Sequence, residues 1–200
     1  MRVLENKIEV ELLLRSQTED SWWSAVESDW AGFLVDHAAC ERKAAATGIQ
    51  FVVKYPDRLQ LIEPMIRLAR EELLHFHQVS RLLVQLGLQQ KGDEKDPYVN
   101  LLLGQMRNPP EERFLDRLLI FGIIEARGTE RFGIVAQKVK DPEMANFYKI
   151  LSETEARHHQ LFTELACEYF STDLVQSRLH ELLDIESNIL KKIPVRAAVH

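Results

Sequence analysis

Two short motifs carry the chemistry legible in this sequence. Glu72-Leu73-Leu74-His75 and Glu155-Ala156-Arg157-His158 each set a carboxylate and an imidazole three residues apart. On an α-helix, positions i and i+3 share a face, so each tetrapeptide can aim one oxygen and one nitrogen at a single point. One such pair arises often by chance. Here each is preceded by a lone glutamate: Glu41 stands 31 residues before Glu72, and Glu125 stands 30 before Glu155. Two single glutamates and two Glu-x-x-His pairs, all pointing inward, are how helical bundles hold a pair of iron or manganese ions. Four buried carboxylates without a cation would repel one another strongly, and two multivalent metals remove that conflict. A donor set of carboxylates with only two imidazoles is hard and oxygen-rich, and suits iron or manganese better than copper or zinc. Oxygen activation is the chemistry such a pair would serve, the metals supplying redox capacity and the chain supplying geometry.

Positioning these six side chains requires four long helices. Hydrophobic spacing and turn signals predict helices over about 29–54, 57–86, 110–140 and 142–170, with shorter ones over about 96–106 and from Ser171-Thr172-Asp173 to about 193. Tyr55-Pro56-Asp57 ends the first, with Asp57 as the expected cap of the second. Gly87 suits the end of the second, and Pro64 should kink it or mark its true first turn. Asp96-Pro97 and Asp141-Pro142 read as cap-plus-proline starts. Residues 1–16, with Ile8, Leu12 and Leu13 at helical spacing, suggest a strap or short helix. Trp22, Trp23 and Trp30 suggest an aromatic plug at one end of the core. The tail from Pro194 is expected to be loose. The fold class is therefore all-α: a single ferritin-like four-helix domain over 1–200, with its core at about 29–170 and extra helices outside.

Helix rise makes the convergence testable. Glu41 precedes the end of its helix by 13 residues and Glu72 follows the start of the next by 15, roughly 20 and 22 Å along paired axes. Glu125 and Glu155 match in the same way. Glu130 is the rival of Glu125, but it would miss that height by roughly 6 Å; it is kept as a residue that could support the site from behind. His159 is the alternative to His158. His37, one turn before Glu41, could hold that glutamate in place, although a satisfied core or surface histidine is the plainer reading. His77 shares a face with Arg70 and Arg81 and should point to solvent.

Composition bounds the rest. Hydrophobic residues at 46% and charged residues at 28% are those of a globular protein, and the longest apolar run, Leu118 to Ile124, is far short of a membrane span. Two cysteines cannot form a disulfide framework, which fits a reducing cytoplasm. The net charge of −6 argues against broad nonspecific nucleic-acid binding, though not against a local basic patch.

Three segments resemble a known family. Asp36-His37-Ala38-Ala39-Cys40-Glu41-Arg42-Lys43-Ala44-Ala45, Arg70-Glu71-Glu72-Leu73-Leu74-His75-Phe76 and Ile124-Glu125-Ala126-Arg127-Gly128-Thr129-Glu130-Arg131-Phe132 look like the tRNA 2-methylthio-N6-isopentenyladenosine hydroxylases, over roughly residues 20–190. The resemblance implies a ferritin-like di-iron monooxygenase with Glu41, Glu72, His75, Glu125, Glu155 and His158 as ligands. It also implies two iron ions, oxo- or hydroxo-bridged when oxidised, O2 as co-substrate, and a tRNA whose modified adenosine lies beside the anticodon. An external electron donor is required, since no flavin or nicotinamide fingerprint is present; no membrane is involved. Candidate phosphate contacts are Arg42, Lys43, Lys54, Arg58, Arg107, Arg113, Lys191, Lys192 and Arg196. Iron storage and oxidation of a small molecule are the competing functions.

Overall fold

The computed structural model describes residues 13–92 and 95–200. Among these residues seven helices follow in order and no strand occurs: α1 (Asp20–Ser28), α2 (Trp30–Lys54), α3 (Leu59–Gln85), α4 (Pro97–Leu103), α5 (Pro110–Lys138), α6 (Pro142–Tyr169) and α7 (Thr172–Leu190). The four long helices are the expected bundle. α2 packs along α3, α5 packs along α6, and α3 touches α6 across the core.

The caps show why the helices start where they do. Asp29 accepts from the Gly32 N–H, Asp96 from Val99, and Asp141 from Glu143 and Met144; each satisfies an otherwise orphaned amide. Proline occupies the first position of α4, α5 and α6, where no N–H is needed. The end of α3 is a Schellman turn. Gly87, at φ 68°, lets its own N–H reach Val84 O and the Leu88 N–H reach Leu83 O.

The helix start assigned to Asp57 is corrected. α3 begins at Leu59 behind Arg58, and Pro64 lies inside it. Helix α1 was missed, because three tryptophans dominate that stretch and read as a plug. They also serve as one: Trp22 is buried, and Trp30 packs on Phe33 and Tyr148. Of the strap expected over residues 1–16, Ile8 and Leu12 lie outside the described residues, and Leu13 is exposed.

The loose tail is also corrected. Ala198 and Val199 are buried. The Trp22 indole donates to Ala198 O at 2.9 Å, Arg131 donates to Val199 O at 2.9 Å, and the Val199 N–H donates to Asp36 at 2.7 Å. Six residues after a proline, with no helical or strand periodicity, look like loose coil in sequence; only the helix ends already in place show where their backbone bonds go.

α5 is enclosed on nearly every side. One face looks toward the bundle centre. The other carries Arg127, fully buried, which donates to Glu186 Oε1 at 2.8 and 3.0 Å, while Tyr98 donates to the same oxygen at 3.0 Å. Removing one partner of such a pair costs about 3–5 kcal/mol, because the other is left charged and buried. No described helix is long and apolar enough to cross a membrane.

Candidate metal centre and substrate cavity

All six side chains selected from spacing converge. Their donor atoms form two groups, each within 4.8 Å: Glu41, Glu72, His75 and Glu155 in one, and Glu72, Glu125, Glu155 and His158 in the other. Glu72 and Glu155 belong to both. The contacts run crosswise as well as along each motif. His75 Nδ1 lies 3.3 Å from Glu72 of its own helix but 2.8 Å from Glu155. His158 Nδ1 lies 2.7 Å from Glu155 and 2.8 Å from Glu72.

The electrostatics are those of a site built for cations. Burial raises the Glu41 carboxyl above its ordinary range, and burial with the charges of Glu72 and Glu155 pushes Glu125 well above it. Burial alone would lower the pKa of both imidazoles. Contacts of His75 with Glu155, Glu41 and Glu72 outweigh it, as do those of His158 with Glu155 and Glu72, and each is pushed up to about 12. Protons on the two rings thus offset the carboxylates wherever no metal does. Glu72 Oε1 and Glu155 Oε1 are buried without a hydrogen bond, although an imidazole nitrogen lies 2.8 Å from each.

Two groups flank the cluster and contact it through hydrogen bonds. The Tyr148 hydroxyl lies 3.0 Å from His37 Nδ1, and His37 Nε2 lies 2.7 Å from Glu41 Oε1. Burial lowers the His37 pKa to about 3, so the ring is neutral. Nε2–H then donates to Glu41 and Nδ1 accepts from Tyr148. His37 is thus a buried histidine satisfied by contacts on both sides, one of them to Glu41. On the far side, His158 Nε2–H donates to Glu71 Oε2 at 2.9 Å, so Nδ1 is the ring nitrogen that faces the cluster. Sequence spacing did not single out Glu71, because the motif register draws attention only to Glu72.

The rivals fall outside the cluster. Glu130 accepts from the Thr18 N–H and hydroxyl and from Arg127, on the opposite face of α5, so its role behind the site is corrected. His159 Nδ1 is buried but unpartnered, away from both groups. His77 is exposed, as expected.

The carboxylates floor a cavity of about 540 Å³ between α2 and α5, roofed by α4 and the tail. Glu41, Glu72, Glu125 and Glu155 line its base; Val99, Leu103, Met106, Phe121 and Ile124 give apolar wall; Lys43, Lys95, Thr47, Gln50, Asn100 and Arg117 add polar groups. Pockets of this size suit a ligand as large as a nucleoside. His200 completes the wall, stacked on Tyr98 with ring centres 5.7 Å apart and planes 4° from parallel. Of the nominated phosphate contacts, Lys43 alone lines this cavity. Arg58 pairs with Glu111, Arg107 with Asp116 and Glu112, and Arg196 with Asp96.

A family model described as tRNA-(MS2IO6A)-hydroxylase (MiaE) matches residues 5–200. The chain belongs to this family. A tRNA 2-(methylsulfanyl)-N(6)-isopentenyladenosine(37) hydroxylase of Pseudomonas putida is 37% identical over 161 residues, 80% of this chain and 78% of that one. The enzyme of the same name from Salmonella typhimurium is 30% identical over 131 residues, 66% of this chain and 48% of its own length. Among solved structures, a Synechococcus protein with aldehyde deformylating oxygenase activity superposes with a TM-score of 0.87 at 34% identity, covering 92% of both chains. The MiaE family chain thus shares its bundle with an oxygenase.

Proposed function

We propose that this MiaE family protein is an O2-dependent di-iron hydroxylase acting on the isopentenyl group of 2-methylthio-N6-isopentenyladenosine in tRNA. One observation carries the reading: two ligand groups that share Glu72 and Glu155 form the floor of a nucleoside-sized cavity. The residues fit a pair of metal ions on this chain's own terms, because two buried carboxylate oxygens lack any hydrogen bond and four carboxylates meet at one place. In this reading Glu41 with His75 and Glu125 with His158 would each hold one ion, and Glu72 and Glu155 would reach both.

Two irons at this position would supply O2 activation. The overall reaction balances as C–H, O2, two electrons and two protons giving C–OH and water, with the electrons from an external donor. The chain does the rest. The unpaired loop nucleotide turns its base out of the stack, which costs least where pairing is absent. Phe121, Ile124 and Leu103 pack around the isopentenyl group and exclude water, while His37 and Glu71 keep Glu41 and His158 in register. Lys43 and Lys95 stand at the cavity for the polar end of the nucleotide. An aldehyde, the substrate class named for the structural neighbour, carries no sugar or phosphate to engage these polar groups.

The test is to incubate protein, Fe(II), a reductant and O2 with tRNA carrying the unhydroxylated nucleoside, then digest and separate the nucleosides. A product one oxygen heavier supports the proposal. Unchanged substrate in the presence of fully loaded iron rejects it.

A further inference from the structure

Arg117 is a buried cation with no acid beside it. It is 8% exposed and lies in the cavity lining. Its one hydrogen bond runs from Nη2 to Gln50 Oε1 at 3.2 Å, and its Nε–H is buried with no partner. The guanidinium stands over the rings of Phe51 and Phe121, 5.0 and 5.6 Å from their centres. Of the other buried arginines among the described residues, Arg127 is paired with Glu186 and Arg178 with Asp116, while Arg131, which donates to Val199 O, lies outside this cavity.

The neighbourhood makes the isolation worse. Arg113 lies four residues earlier on the same face of α5, where like charges repel. Arg113 closes the first turn of α5, the positive end of its dipole, and Glu111 and Glu112 at that end are taken by Arg58 and Arg107. Burial is the largest influence on Arg117 and lowers its pKa, with Arg113 pulling the same way. Burying an unpaired charge is expensive, so such a group is kept where an anion arrives to complete it.

Position within the cavity says which anion. Arg117 and Glu125 are eight residues apart on α5, and Gln50 and Glu41 nine apart on α2, so the Arg117–Gln50 pair sits roughly 12–14 Å along the helices from the carboxylate floor. A prenylated adenosine nucleotide spans a comparable distance from the tip of its side chain to its phosphate. We propose that Arg117 and Gln50 form a phosphodiester subsite, which anchors the sugar–phosphate end of the target nucleotide while its isopentenyl group rests on the floor. The fork of the guanidinium suits a phosphate, and a flanking phosphate also distinguishes a nucleotide in RNA from a free nucleoside. This rests on the substrate reading above and adds the element that recognises the nucleotide as part of a chain.

The experiment compares binding of two probes: free 2-methylthio-N6-isopentenyladenosine and its 3′,5′-bisphosphate, each titrated into wild type, R117Q, R117K and Q50E. Wild type is expected to bind the bisphosphate at least about tenfold more tightly than the nucleoside. R117Q should bring that ratio near one. R117K should retain part of it, and Q50E should lose it by giving Arg117 a carboxylate of its own. Q50E removes no buried group, so it keeps the test alive should R117Q fail to fold. A wild-type ratio near one, or a ratio unchanged in folded R117Q or Q50E, overturns the subsite and leaves the substrate reading standing. Failure of wild type to bind either probe rejects both.

Discussion

Glu72 on α3 lies closer to His158 on α6, at 2.8 Å, than to His75 of its own motif, at 3.3 Å. Glu155 makes the reciprocal contact with His75 at 2.8 Å. The two Glu-x-x-His motifs therefore interlock, and each supplies a carboxylate to the half of the site that the other motif's histidine serves.

Interlocking sets the consequences of mutation. Replacing Glu72 or Glu155 by Ala should abolish binding of both metals, since each residue belongs to both groups. Replacing Glu41 by Ala should weaken one position and spare the other. Iron and protein assayed together after desalting would check this, and equal losses in all three variants would refute shared carboxylates.

The Glu71 contact with His158 should act through metal affinity. E71A is expected to weaken metal binding about 10–100-fold, the usual effect of losing the partner that orients a ligand histidine. A competition titration with a metal-binding dye reads this directly, independent of turnover.

Gly48 sets the spacing of the first helix pair. A Cβ there would stand 2.9 Å from the Met65 carbonyl oxygen and 3.0 Å from the Ala69 Cβ. Neither backbone nor a helix-fixed Cβ can yield cheaply. G48A should destabilise the protein by about 1–3 kcal/mol, seen as a fall in Tm of several degrees.

Asp116 gives the fold an acid-sensitive joint. Burial would raise its pKa, but Arg107 and Arg178 hold it below the usual value of 3.8. The unfolded chain therefore binds this proton more readily than the folded one. The stability it contributes is complete above that value and is lost as pH falls through the folded pKa. D116N should lower Tm at neutral pH and flatten its acid dependence below pH 3.8. Parallel Tm-versus-pH curves for variant and wild type would contradict this.

Much of this site was legible because carboxylates and histidines at i, i+3 announce themselves, and because helix rise fixes height from the turns. Those rules placed Glu41, Glu72, His75, Glu125, Glu155 and His158 together and separated His158 from His159. They could not show what depends on how helices rotate against one another. The crosswise pairing of Glu72 with His158, the Glu71 support and the isolation of Arg117 are contacts between helices with no local spacing. Glu130 misled because it follows Glu125 in a charged run; Arg127 turns that face toward Glu186 and Thr18 instead. The tail misled because Val199 and His200 carry no periodicity, and their partners Asp36, Tyr98 and Ile124 come from three other segments.

Six side chains from four helices holding two ions is the claim on which the rest stands. Iron-loaded crystals measured at the iron absorption edge test it most directly. The expected anomalous map holds two peaks, one bonded to Glu41 and His75, the other to Glu125 and His158, and both in contact with Glu72 and Glu155. A single peak, or peaks elsewhere on the molecule, would contradict it.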